Sequence, residues 1–74
     1  MEPFYKEAIR YYREAIKADP NFVITYFDFA YLYKVLGRYD KALEYYREAY
    51  KHARSDYWRS KAEKYIKEIK RCLS

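Results

Sequence analysis

The chain has one glycine, two prolines, one cysteine, one histidine and no glutamine among its 74 residues. Each shortage removes a class of protein. With Gly37 as the sole glycine, no phosphate-cradling glycine loop can be built. So little Gly and Pro leaves scant material for loops and points to long helices. Cys72 has no partner for an internal disulfide, and with His52 alone it makes no metal site, so neither a metal nor a cofactor is expected. Nucleophilic catalysis needs a base close to Ser or Cys, and His52 has only Ser55 and Asp56 near it in sequence. His52 falls where a helix is predicted to end, a place that favours a cation, so a capping role is expected and enzyme activity is not. Glu7, Glu14, Glu44 and Glu48 each stand three or four residues from Arg or Lys and read as surface pairs. No apolar run is long enough to span a bilayer, and Met1-Glu2-Pro3 opens no signal-peptide pattern, so a soluble, cytoplasmic chain is expected. Asn occurs once, with Glu, Lys and Arg abundant, a balance that suits a chain adapted to heat or designed for stability.

What is present is hydrophobic and charged together, the composition of amphipathic helices, with twelve tyrosines. At this length a single core supplies only a few kcal/mol, so reinforcement by a neighbour is a live question. Charge is uneven along the chain. Residues 1–50 carry eight basic and eight acidic side chains, whereas residues 51–74 carry eight basic and three acidic, so the whole net charge of +5 sits in the last third. That excess reads either as a nucleic-acid-binding face or as the wet side of the last helix.

Periodicity predicts four helices. The first runs from about Pro3 to Ala18, with Tyr5, Ala8, Ile9, Tyr12, Ala15 and Ile16 on one face and Asp19-Pro20 ending it. The second begins near Asn21 as its N-cap and carries Ile24, Phe27, Ala30, Tyr31 and Val35 to Leu36, where Gly37 stops it. A third spans Tyr39 or Asp40 to His52, and a fourth Asp56 to Leu73, capped by Ser55 or Asp56. Such short joints fold successive helices into antiparallel hairpins.

The helices repeat. "YYREAIKADP" and "YYREAYKHAR", Tyr11–Pro20 and Tyr45–Arg54, lie 34 residues apart. From Tyr26 the chain reads Tyr26, Phe29-Ala30, Tyr33, Gly37, Tyr39, Ala42, Tyr46 and Ala49. This resembles the tetratricopeptide repeat, whose period is 34 and whose signature runs Trp, Leu-Gly, Tyr, Ala, aromatic, Pro. Arg54 stands where that Pro belongs. Small Ala30, Ala42 and Ala49 admit close helix approach and the tyrosines fill the grooves beside them. The resemblance implies an all-α solenoid fragment within a single domain, 1–74. Residues 3–18 would be the second helix of a truncated repeat, 22–53 a complete repeat and 56–73 a capping helix.

It also implies a non-enzymatic scaffold that binds a protein, as a peptide or helix, in a groove lined by Ile24, Phe27, Asp28, Tyr31, Lys34 and Val35. Two arrangements fit Phe27, Tyr31 and Val35: lining that groove, or packing against the last helix. The subclass that holds a terminal carboxylate is set aside, because Asp28 stands in place of its Asn and Ile24 and Phe27 are apolar. The truncated first helix should leave Tyr5, Ala8 and Tyr12 partly bare. With Trp58, Tyr65, Ile66 and Ile69 of the last helix, they form an expected self-association surface for a homo-oligomer, a two-fold dimer rather than a head-to-tail chain. The alternative function is a nucleic-acid or acidic-segment binder using Arg54, Arg59, Lys61, Lys64, Lys67, Lys70 and Arg71, with Tyr57 and Trp58 for stacking.

Overall fold

The computed structural model describes residues 2–74, with side chains from Tyr5 onward. It comprises four helices: α1 (Glu2–Ala18), α2 (Val23–Val35), α3 (Tyr39–His52) and α4 (Asp56–Leu73). Consecutive helices pack against each other, α1 on α2, α2 on α3 and α3 on α4. The chain forms a slab of 36 × 33 × 13 Å. A closed four-helix bundle would have two similar short axes, so the helices are laid out in series as in a solenoid.

The turns explain the boundaries. Phe22 N–H donates to the Asp19 carbonyl at 3.2 Å across a turn with Pro20 at its second position, and Asn21 N–H donates to Asp19 Oδ1 at 3.3 Å. Asn21 is therefore held inside the turn and is not the expected cap. Phe22 occupies that position without a side-chain hydrogen bond. Tyr26 Oη donates to the Pro20 carbonyl at 2.6 Å and ties the turn to α2. At the other end of α2, Gly37 N–H donates to the Lys34 carbonyl at 3.0 Å and Arg38 N–H to the Tyr33 carbonyl at 2.9 Å. These are the two bonds of a Schellman motif, with Gly37 at φ 78°. Helix α3 stops at His52 without the proline, because Ala53 turns to an extended backbone and buries its methyl group. Ser55 Oγ caps α4, accepting from Trp58 N–H at 3.4 Å.

The core is the aromatic and alanine set that the spacing predicts. Tyr26, Phe29, Ala30, Tyr33, Ala42, Tyr46 and Ala49 are all buried, with Ala62 and Ile69 from α4. Phe29 lies at its centre, its ring 4.3 Å from Tyr45, 4.9 Å from Tyr33 and 5.5 Å from Tyr12. One stack of rings thus joins α1, α2 and α3. His52 does more than end α3: its ring stacks flat on Tyr26 at 5.1 Å, with Nε2 3.7 Å from the Glu48 carboxylate. Ile69, expected on a self-association surface, is 1% exposed and belongs to the core, because α4 turns its apolar stripe onto the α2–α3 hairpin.

Candidate protein-interaction surface

Helix α2 is apolar almost all round, interrupted by Thr25, Asp28 and Lys34. A helix of that kind is normally covered on every side. Here Tyr26, Phe29, Ala30 and Tyr33 are buried against the neighbouring helices, while Ile24, Tyr31 and Val35 are left exposed on the other face. Beside that face, α2 and α4 enclose a hollow of about 340 Å³, with Tyr46 of α3 at its base. A volume of this size is typical of sites that take a side-chain cluster or small ligand.

Five of the six expected groove residues line the hollow: Ile24, Phe27, Asp28, Tyr31 and Lys34. Their roles differ. Phe27 is only 9% exposed and forms the floor, its ring 5.5 Å from Trp58, 6.0 Å from Tyr65 and 6.2 Å from Tyr46. It packs against the last helix and borders the hollow at once. Tyr31, at 59% exposed, is a free ring on the rim. Val35 is exposed but lies beyond the hollow, one turn further along α2.

Four lining residues were not assigned to the groove from the sequence: Tyr46, Trp58, Lys61 and Tyr65. Trp58 and Tyr65 were expected to face a second copy and Lys61 to be part of a basic face. The signal for Trp58 and Tyr65 was the apolar stripe of α4, whose direction depends on how α4 crosses α2. Lys61 Nζ donates to Tyr57 Oη at 3.3 Å, and this bond raises the pKa of its ammonium group. Burial pushes the Tyr46 phenol up to about 12, with the neighbouring Tyr65 adding to the shift. The base of the hollow is neutral at ordinary pH, and its charges, Asp28, Lys34 and Lys61, stand at the rim.

The other basic residues of the last third are scattered. Arg59 pairs with Asp56 at 3.1 Å. Lys64, Lys67 and Arg71 share the outer side of α4 with Ser60, Glu63 and Glu68. Arg54 and Lys70 are exposed. Tyr57 is exposed, and Trp58 is half-buried, its ring 5.0 Å from Tyr57 and 5.5 Å from Phe27. No group of three or more metal-ligating side chains is gathered among the described residues, nor is any helix among them long and apolar enough to cross a membrane. On α1, Tyr5, Ala8 and Tyr12 are half-buried.

Residues 11–44 match the family model of the tetratricopeptide repeat. The match runs through the second half of α1, all of α2 and the start of α3, so it includes the hairpin joint and both turns around α2. This segment is similar to the tetratricopeptide repeat (TPR). No curated protein matches it. TPR repeats generally mediate protein–protein interaction, through the concave surface that stacked hairpins create, and are typically scaffolds rather than enzymes. The hollow lies between α2 and α4, alternate helices of the series.

Proposed function

We infer that this TPR-like chain is an interaction scaffold whose α2–α4 hollow takes an apolar or aromatic segment of a partner protein, as a peptide or short helix. The observation that carries this reading is the uncovered face of α2, where Ile24 and Tyr31 stand exposed beside a preformed aromatic floor. Exposed apolar surface next to a concavity marks a contact site, and aromatic rims make low-entropy anchors. Lys34 and Lys61 at the rim favour an acidic residue beside the anchor. The same reading gives the scaffold a second contact, self-association through the open side of α1.

Trp58 is the only tryptophan and lines the hollow, so its fluorescence reports occupancy directly. Peptides selected from a displayed library should shift that emission, and Ile24→Ala with Tyr31→Ala should lose them while keeping the helical signal. Binding should change little between low and moderate salt. Selected peptides that bind the double variant equally well would reject the hollow. RNA binding with a steep salt dependence, reduced by Lys64→Ala with Lys67→Ala, would move the function to the basic face of α4.

A further inference from the structure

Helices α1 and α3 carry one pattern 34 residues apart, and the structure buries the two copies differently. In α3, Ala42 and Ala49 are fully buried, and the Tyr45 ring lies against α2, 4.3 Å from Phe29 and 5.8 Å from Tyr33. The matching residues of α1 are Ala8, Ala15 and Tyr11. Both alanines are half-buried and Tyr11 is 68% exposed. What α3 has and α1 lacks is a helix on that flank.

The edge of the bare strip indicates what fits it. Glu7, Arg10, Glu14 and Lys17 run along one side of α1 with alternating sign at spacings of three, four and three residues. Read in the reverse direction the spacings are unchanged and every sign is inverted. An antiparallel copy of α1 therefore sets Glu7 opposite Lys17 and Arg10 opposite Glu14, and symmetry repeats both pairs. The same spacing also suits pairs within one helix, yet all four side chains are exposed and none forms an ion pair among the described residues. At the far end of the array, Ser60, Glu63, Lys64 and Lys67 of α4 make a polar surface without that alternation.

We propose that the open flank of α1 is a homodimer contact, in which two α1 helices pack antiparallel about a two-fold axis beside Tyr12. Ala8 and Ala15 let the backbones approach, the Tyr11 rings fill the strip, and the four alternating charges set the direction and register. This assignment rests on the self-association reading and adds its orientation. One helix pair is small for a specific interface, so the dimer dissociates on dilution.

Sedimentation equilibrium over a wide dilution range tests it, with two charge variants. Glu7→Lys with Glu14→Lys makes the flank wholly basic, and Arg10→Glu with Lys17→Glu makes it wholly acidic. The expected result is a parent dimer that dissociates on dilution, each variant monomeric with the parent's helical signal, and a heterodimer when the two variants are mixed. A parent that stays monomeric at every concentration overturns self-association itself. A parent dimer whose mass is untouched by either variant, or variants that fail to reassociate on mixing, leaves self-association standing and overturns the antiparallel α1 contact.

Discussion

Gly37 and Tyr46 carry opposite kinds of constraint, one on the backbone and one on the side chain. At φ 78° Gly37 holds a conformation that a side chain disfavours, and no atom lies within 4 Å of where a Cβ would stand. Any penalty on substitution is therefore conformational rather than steric crowding by neighbours. Gly37→Val should lower stability by about 1–2 kcal/mol, read as a lower melting temperature with an unchanged helical signal. A variant that melts with the parent would mean that the Schellman turn is not formed. Tyr46 is constrained by burial, which raises its phenol from the ordinary 10.0 to about 12. Tyr12, Tyr26 and Tyr45 are shifted in the same direction, each chiefly by burial. The folded state thus disfavours the phenolate more than the unfolded chain does, so the unfolded state loses its protons first as pH rises. Stability should be level up to about pH 10 and fall between there and about pH 12, with Tyr46→Phe showing a shallower fall. Denaturant midpoints across that range measure it, and a parent and variant with identical alkaline profiles would remove Tyr46 as a cause.

At the scale of elements, α2 has two kinds of aromatic, and they should answer differently to truncation. Phe27→Ala removes the floor shared by Tyr46, Trp58 and Tyr65 and should cost about 3–5 kcal/mol. Tyr31→Ala, on the rim, should change stability by no more than about 0.5 kcal/mol. Denaturant unfolding of the two variants separates floor from rim, and equal costs would show that the hollow is not open as described. The sequence showed the helices, the turn glycine and the alanine–tyrosine core, because repeat period and helical periodicity are local properties that burial follows directly. It missed the α2 cap, since Asp19 competes for the Asn21 amide and draws it into the turn. It drew the hollow in part, from the α2 side. Phe27 was left between the groove and the last helix, and it meets both, while Trp58 and Tyr65, expected to face a second copy, line the hollow beside it. Which way the stripe of α4 points is fixed by its crossing of α2, a relation between elements far apart in sequence. Ile69 went astray for the same reason. Val35 shares the face of Ile24 and Tyr31, but α4 does not extend the hollow to it.

For the whole molecule, a serial arrangement makes stability a matter of neighbours. Helices α2 and α3 are each covered on two sides, by α1 and α3 and by α2 and α4, whereas α1 and α4 are end members. The ends are not equivalent. Helix α4 buries Ala62 and Ile69 outright and turns polar side chains outward, while every apolar residue described on α1 keeps some exposure. Opening free energies follow the burial that local opening must give up, so amide exchange should be slowest in α2 and α3, slower in α4 than in α1, and fastest in α1. Concentration supplies the second half of the prediction. If a second copy covers the flank of α1, dimerisation stabilises the closed form by mass action, and protection of α1 should rise with protein concentration while that of α4 stays constant. Exchange followed by mass spectrometry of peptides from each helix, at dilute and concentrated protein, reads both effects together. Uniform protection along the chain would mean that the four helices open as one cooperative unit. A rise confined to α4, or shared equally by all four helices, would place the contact between copies somewhere other than α1.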